Sequence, residues 1–118
     1  MIETTLINYL QNLTSAGTNV FAERPVNIPK LYILIEKTGS DTENMITTSD
    51  IAIQSIADSM QDGSLVDAAL LNEEVKSVMQ GLEALPDIVM VRINTDYNYT
   101  DSSTKEYRYQ AVYQITHY

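Results

Sequence analysis

The sequence has no cysteine and only one histidine, and both shortages limit its chemistry. Without cysteine there are neither disulfide bonds nor thiolate chemistry, so the fold must work in a reducing cytosol or be indifferent to redox state. A nucleophile would have to be a serine or threonine activated by His117. No Gly-x-Ser-x-Gly turn is present to expose one. The residues therefore give acyl-transfer chemistry no support.

Cations and glycines are also scarce. Seven Lys and Arg against sixteen Asp and Glu give a formal net charge of -9, so we expect repulsion from DNA and from anionic membranes. The four glycines are scattered singly, which leaves no phosphate-binding loop. The first thirteen residues lack a basic region and mix polar with apolar side chains. We therefore expect neither a secretory signal nor a membrane span, and a soluble protein that stays in the cell that makes it.

Acidic residues are plentiful but form no recognisable catalytic or metal-binding pattern. Residues 58–69 place Asp and Gly where a calcium loop has its first, fifth and sixth positions. Met60 and Ala69 occupy the third and twelfth positions, however, so the bidentate glutamate is missing. We predict no catalytic, cofactor-binding or metal-ligating residue, and no enzyme activity.

Length and composition indicate one globular domain over residues 1–118. Hydrophobic residues make up 44% of the chain, enough to form a single core. Helical spacing of apolar residues from Ile2 to Leu13 predicts an amphipathic first helix, and residues 20–23 predict a short strand. Residues 24–29 form a proline-bounded connector, and residues 30–37 form a central strand.

The middle of the chain predicts a loop, a strand and a long helix. Residues 38–44 are polar and contain Gly39, which favours a loop, and a strand follows from about Met45 to Ala57. Ser64, with Asp67 three residues later, predicts a capping box for a second helix that ends near Leu85, before Pro86.

The C-terminal third predicts one long hairpin. Residues 88–100 and 104–118 alternate apolar and polar residues around an Asp101-Ser102-Ser103 tip. A regular ladder pairs Val91 with Ile115 and Ile93 with Tyr113, and then Tyr97 with Tyr109 and Tyr99 with Tyr107, all on one face. Arms about 40 Å long at ~3.3 Å per residue exceed what the core needs, so the distal half should project. The candidate subunit interface is therefore the four distal tyrosines, Tyr97, Tyr99, Tyr107 and Tyr109.

These elements together predict an α+β fold. We expect a mostly antiparallel, mixed sheet of about four to five strands, with two helices packed on one face. The predicted order is α-β-β-β-α-β-β, and the long hairpin is its C-terminal part.

Four segments and this element order resemble a known family. The segments are Glu23-Arg24-Pro25 with Pro29, then 32–39 (YILIEKTG), 51–59 (IAIQSIADS) and 91–118 (VRINTDYNYTDSSTKEYRYQAVYQITHY). With the helices they cover nearly the whole chain, which is similar to the small tail terminator or tail completion proteins of long-tailed bacteriophages. These are also described as minor tail or head-tail joining proteins. Many of them carry a second glycine where this chain has Ser40.

The resemblance implies a structural role. A member of this family assembles with copies of itself, commonly as a hexameric ring, on the last ring of the major tail-tube protein. It stops tube growth and offers a docking face to a head-completion or connector protein. DNA passes through the ring without specific binding. The protein would be made in the host cytoplasm and would reside in the virion, at the head-proximal end of the tail.

Two further expectations concern charge. A ring through which DNA slides benefits from an acidic lumen, and Asp41 and Glu43 are the candidates for lining or rimming it. The alternative function is an acidic binding module, such as a DNA mimic that inhibits a DNA-binding protein. It would require a row of carboxylates on one exposed face, and Lys76 interrupts the acidic residues of the second helix.

Overall fold

A computed structural model describes residues 1–100 and 103–118. It contains two α-helices and five strands, and their order agrees with the predicted α-β-β-β-α-β-β arrangement. Short 3₁₀ turns lie at Ser59–Gln61 and Leu82–Ala84. The elements are α1 (Ile2–Leu13), β1 (Val20–Phe21), β2 (Leu31–Glu43), β3 (Ile46–Asp58), α2 (Leu65–Met79), β4 (Ile88–Asn98) and β5 (Glu106–His117).

The strands form one mixed sheet in the order β1-β2-β3-β5-β4. β1 is parallel to β2, and the other neighbours are antiparallel. The predicted fold class, a mostly antiparallel α+β sheet, is therefore confirmed. Both predicted helices are present, but α2 ends at Met79 rather than near Leu85, and a separate 3₁₀ turn occupies Leu82–Ala84. The capping box of α2 forms, with Ser64 and Asp67 exchanging two backbone-to-side-chain hydrogen bonds of 3.1 Å.

Both helices pack on the same face of the sheet, here called the covered face. Alternation along each strand decides which side chains reach it, and β-branched residues dominate the central strands. The opposite side is here called the open face. The core residues on the covered face and on the helices include Leu6, Leu10, Ile33, Ile35, Ile51, Ile53, Leu71, Val75, Met79, Ala111, Tyr113 and Ile115.

The predicted loop at residues 38–44 is wrong, because β2 continues to Glu43. Its polar residues pair with β3, Asp41 with Thr48 and Thr42 with Thr47. The turn consists of Asn44 and Met45, whose φ angles of 53° and 67° are both positive, as a type I′ turn requires. Solvent reaches both sides of this arm, so its sequence lacks the apolar alternation by which strands are recognised.

The predicted register of the C-terminal hairpin is correct only near its base. Val91 pairs with Ile115 and Ile93 with Tyr113, as expected. An irregularity between Ile93 and Thr95 then shifts the ladder by one residue. One extra residue reverses the alternation of side chains between the two faces. The side chains of β4 beyond Ile93 therefore lie on the faces opposite to those predicted. Asp101 and Ser102 of the predicted tip lie outside the described residues.

The hairpin also does not project as expected. β5 pairs with β3 along its whole length, from Glu106 opposite Asp58 to His117 opposite Thr47. The predicted projecting half is therefore part of the sheet, because β3 is as long as β5 and provides partners for all of it. The molecule measures 46 × 26 × 25 Å, and its longest dimension matches strands of 13 residues at ~3.3 Å per residue.

Candidate subunit interface

The candidate tyrosines lie on both faces of the sheet. Tyr97 pairs with Gln110 rather than with Tyr109, so Tyr97 and Tyr99 lie on the open face. Tyr107 and Tyr109 alternate with Ala111 and Tyr113 along β5 and lie on the covered face. The predicted four-tyrosine surface is therefore wrong. Its physical cause is the bulged residue between Ile93 and Thr95.

Tyr97 and Tyr99 form an exposed aromatic pair. Their ring centroids are 5.8 Å apart in an edge-to-face arrangement, and the residues are 40% and 48% exposed. Such pairs stabilise each other beyond their buried area and remain available to a partner. The hydroxyl oxygen of Tyr97 accepts a hydrogen bond of 2.6 Å from Nε2 of Gln110. The pair is thus held in place on the edge strand.

Glutamine side chains extend this contact across the open face. Oε1 of Gln110 accepts from Nε2 of Gln54 at 2.9 Å, and Oε1 of Gln54 accepts from Nη1 of Arg108 at 3.2 Å. Both glutamines are on neighbouring strands in the same row. This chain of hydrogen bonds links the exposed edge to the buried carboxylate described next.

Glu106 is a buried carboxylate with three hydrogen-bond donors. Oε1 accepts from Arg24 at 2.6 Å and from Arg108 at 3.0 Å, and Oε2 accepts from the hydroxyl of Tyr32. Burial alone would raise the pKa of Glu106, but the hydrogen bonds from Tyr32, Arg24 and Arg108 outweigh it and hold the pKa below its ordinary value. Burial and the bond to Glu106 raise the pKa of Tyr32.

This cluster ties the connector of residues 24–29 to the sheet. Arg24 is the only member that the connector contributes, and the hydrogen bond to Glu106 raises its pKa. Phe21 contacts the ring of Tyr32 edge-on, with centroids 6.2 Å apart. The Glu23-Arg24-Pro25 segment therefore has a structural use here. The sequence analysis did not identify Glu106 as the partner of Arg24, because the two residues are 82 positions apart in the chain.

The acidic candidates Asp41 and Glu43 lie together near the end of β2. Both are exposed, and with Asn44, Ile46 and Thr48 they line a shallow depression of about 260 Å³. Spacing of two residues places them on one face of the strand, and pairing of Asp41 with Thr48 makes this the open face. The arm thus presents two carboxylates side by side.

A larger groove of about 630 Å³ lies between α2 and β4. Its floor includes Met79, Val91 and Tyr113. Lys76 bridges its rim, with Nζ at 2.8 Å from Glu73 and 3.2 Å from Asp96. Burial and the Asp96 charge raise the pKa of Tyr113 to about 12. Lys76, Glu73 and Asp96 of the groove are therefore paired with one another.

The other acidic side chains around α2 are also engaged within the chain. Glu74 accepts from the backbone and hydroxyl of Ser15 at 2.9 and 2.7 Å, and Glu83 accepts from the backbone N–H of Val91 at 2.8 Å. Asp67 belongs to the capping box. These carboxylates point in several directions rather than along one row.

His117 does find a serine partner. Its Nε2 lies 2.9 Å from Oγ of Ser49, a spacing that would suit a nucleophile and its base. Ser49 is only 1% exposed, so a substrate cannot reach its hydroxyl. The pair joins β3 to the end of β5 and is structural.

Over residues 1–100 and 103–118, no group of three or more potential metal ligands occurs. Asp58, the first residue of the calcium-like segment, instead accepts a hydrogen bond of 3.0 Å from the N–H of Met60. Within the same ranges no helix has the length and hydropathy to cross a membrane.

No protein-family model matches this chain, and no curated protein matches it.

Proposed function

We propose that this chain is a non-enzymatic structural subunit of a phage tail. Copies of it form a ring, commonly hexameric in the family it resembles, on the head-proximal end of the tail tube. The ring stops polymerisation of the major tail-tube protein and provides the surface to which a head-completion or connector protein binds. The virion is then its final location, after assembly in the host cytoplasm.

One observation carries the proposal: in the described residues the sheet has a free strand edge on each side. β1 pairs only with Ile33 and Leu34, so β2 from Ile35 to Glu43 is unpaired on its outer side. β4 is the last strand on the other side. Unpaired edges are templates for association, and two different edges on one subunit suit head-to-tail contacts that close into a ring.

The charge distribution is compatible with passage of DNA. The formal net charge is -9, and the β2 arm presents Asp41 and Glu43 on the open face. If that face lines the channel, repulsion keeps the genome from adhering to it. The ring would therefore let DNA through without specific binding.

The alternative, a DNA-mimicking inhibitor, has less support. A mimic needs exposed carboxylates at phosphate-like spacing, whereas Glu74, Glu83 and Asp67 accept hydrogen bonds within the chain. Glu73 and Asp96 share Lys76. The overall charge and the exposed pair Asp41 and Glu43 favour a mimic, but the carboxylates around α2 form no exposed row.

Deletion of the gene from its phage or prophage tests the function. We expect tails of abnormal length or tails that do not join heads, seen by electron microscopy of lysates, with rescue by the gene in trans. Normal virions from the deletion strain would refute the proposal. Recovery of a nuclease or repressor instead of virion proteins in a pull-down would favour the mimic.

A further inference from the structure

The pairing registers align the two free edges row by row. Arg92 pairs with Gln114, Gln114 with Asp50, and Asp50 with Gly39. Two residues further along each strand, Met90 and Asp41 are connected in the same way through Thr116 and Thr48. The free part of β2 and the first half of β4 therefore lie at the same height on opposite sides of the molecule.

The directions of these edges are also complementary. Each step from β2 through β3 and β5 to β4 is antiparallel, so β4 runs opposite to β2. A neighbouring copy in the same orientation would thus present its β2 antiparallel to this β4, the stronger pairing geometry. β1 blocks the lower rows of β2 at Ile33 and Leu34 and leaves only the upper rows available.

Irregularities bound the regular part of each edge. β2 shifts register between Lys37 and Gly39, and β4 shifts between Ile88 and Met90 and again between Ile93 and Thr95. Bulges commonly terminate pairing. What remains is Gly39–Glu43 on one side and Met90–Ile93 on the other, two regular segments of similar length.

Side chains on the two segments complement each other. Met90 and Ile93 are 51% and 46% exposed. Exposed apolar side chains are unusual on an edge strand that faces water. Arg92 is exposed and forms no ion pair with any residue that the structure describes. In the aligned rows it would face Gly39, which has no side chain to obstruct it, and would lie diagonally to the Asp41 carboxylate.

A carboxylate of the chain itself caps the β4 edge. Oε1 of Glu83 accepts from the backbone N–H of Val91, so this N–H points away from β5 and toward solvent. When a side chain accepts a hydrogen bond from a backbone N–H of an edge strand, that N–H is not free for nonspecific pairing with another chain. A strand that docks there must replace the carboxylate with a backbone carbonyl.

The geometry points to docking of the β4 edge onto the β2 edge of a second copy of this chain. The strands pair antiparallel, with Met90 opposite Asp41 and Arg92 opposite Gly39 of the neighbour, and the Glu83 carboxylate gives way to a neighbour's carbonyl. This contact rests on the proposed function and identifies the surfaces from which its ring is built.

Engineered disulfide cross-linking tests the register. Because the native chain has no cysteine, any disulfide must join the introduced residues. Directly opposed strand residues have Cα atoms about 4.5–5.5 Å apart, within the range of a disulfide. We expect the full-length Met90→Cys/Asp41→Cys variant, oxidised at high protein concentration, to give a ladder of covalent oligomers on a non-reducing gel. The matched control, Met90→Cys/Lys30→Cys, should give none, because Lys30 precedes β2 at its blocked end.

Three outcomes would overturn the contact. Equal cross-linking in the Lys30 control would show that collisions cause the ladder, and no ladder in the Asp41 variant would exclude this register. A covalent dimer from Met90→Cys alone would instead indicate pairing of β4 with β4, a different, isologous interface.

Sedimentation velocity tests the roles of the Arg92 charge and of the Glu83 carboxylate that caps the β4 edge. Arg92→Glu should weaken self-association about tenfold, because it places a carboxylate beside the acidic arm, and a second change, Asp41→Lys, should restore it. Lys30→Glu alters the net charge equally and should have no effect. Glu83→Ala should strengthen association several-fold, whereas Glu23→Ala should not. Unchanged association in both Arg92→Glu and Glu83→Ala would refute the contact.

The deletion phenotype separates this inference from the proposed function. Aberrant tails in the deletion strain, combined with no effect of these variants, would leave the function standing and reject this interface. Normal virions from the deletion strain would reject the function even if the edges pair.

Discussion

Tyr97 accepts a hydrogen bond from Nε2 of Gln110 at 2.6 Å, on the face of the sheet that no helix covers. Through Gln54 and Arg108, this contact connects an exposed aromatic ring to the buried Glu106. The edge of the sheet and its most deeply buried charge thus belong to one network. Changes at the exposed end should alter binding, and changes at the buried end should alter stability.

Alanine at Tyr99 should reduce assembly with little effect on folding. Tyr99 is half-exposed, so truncation removes apolar contact area from a partner, whereas the isolated domain should lose less than about 1 kcal/mol. Tyr109→Ala is the matched control on the covered face, and it should lower the free energy of unfolding more. Urea unfolding gives the stability of each variant, and co-sedimentation with tail tubes gives its binding to them, because Tyr99 lies beyond the bulge that ends the regular part of β4. The assignment of Tyr99 to a partner surface fails if Tyr99→Ala co-sediments with tubes as the wild type does.

Glu106→Gln should destabilise the fold by about 2 kcal/mol at pH 7, because Arg24 and Arg108 lose their charged acceptor in a buried position. The folded-state pKa of Glu106 is lowered, since hydrogen bonds from Tyr32 and the two arginines outweigh burial. Its stabilisation is therefore present above the unfolded-state pKa and is lost as the pH falls below about 5 and through the lowered folded-state pKa.

Urea unfolding at a series of pH values measures this loss. The stability of the wild type and of Glu106→Gln should converge as the solution is acidified. Glu36→Gln, an exposed carboxylate on the same face, should follow the wild type throughout. A constant difference between wild type and Glu106→Gln from pH 7 to pH 3 would contradict the assigned titration.

Met45→Gly should stabilise the protein by about 1 kcal/mol. Met45 has a φ of 67° at the β2–β3 turn, where a side chain costs ~1–2 kcal/mol and glycine's extra chain entropy offsets part of the gain. The side chain is 87% exposed, so little packing is lost. Asn44→Gly should stabilise less, because asparagine tolerates this conformation. Thermal unfolding of both variants measures these changes. A melting temperature for Met45→Gly below that of the wild type would refute the turn geometry.

Gly63→Ala should destabilise the protein by about 2 kcal/mol. A Cβ at this position would lie 2.7 Å from the carbonyl oxygen and 2.8 Å from the nitrogen of Asp58, and backbone atoms cannot move aside cheaply. Gly39→Ala is the matched control, since its Cβ would meet Asp50 at an ordinary 3.5 Å. Equal urea midpoints for the two variants would refute the close approach of the Asp58 backbone to Gly63.

The sequence predicted the elements better than it predicted their alignment. The apolar residues of β3 and the Ser64 capping box are local signals, and both were read correctly. The bulge near Asn94 has no local signal, because the polar residues after Ile93 satisfy either register equally well. It moves Asp96 to the α2 side, where it meets Lys76, and moves Tyr97 to the open face.

The other errors have a similar physical origin. Residues 38–43 are polar because both faces of that arm meet solvent, so a strand was mistaken for a loop. The buried cluster joins Arg24 to Glu106 across 82 positions, a contact that no periodicity can reveal. The four tyrosine candidates were predicted to share one face, but they occupy both faces of the sheet. Tyr97 and Tyr99 are exposed together, while Tyr107 and Tyr109 lie on the covered face.

Neutralising Asp41 and Glu43 tests whether the β2 arm faces the DNA channel. In the double variant Asp41→Asn/Glu43→Gln, the amides keep hydrogen-bond acceptors for Arg92, so rings and virions should still form. DNA ejection should become slower, because two fewer carboxylates per subunit repel the phosphate backbone. The effect should grow at low ionic strength, where charges on the channel wall are less screened. Glu23→Gln/Asp87→Asn removes the same charge from exposed positions outside the arm and should eject at the wild-type rate. Identical ejection kinetics for the two double variants would remove the arm from the channel and leave Asp41 and Glu43 as outward-facing residues.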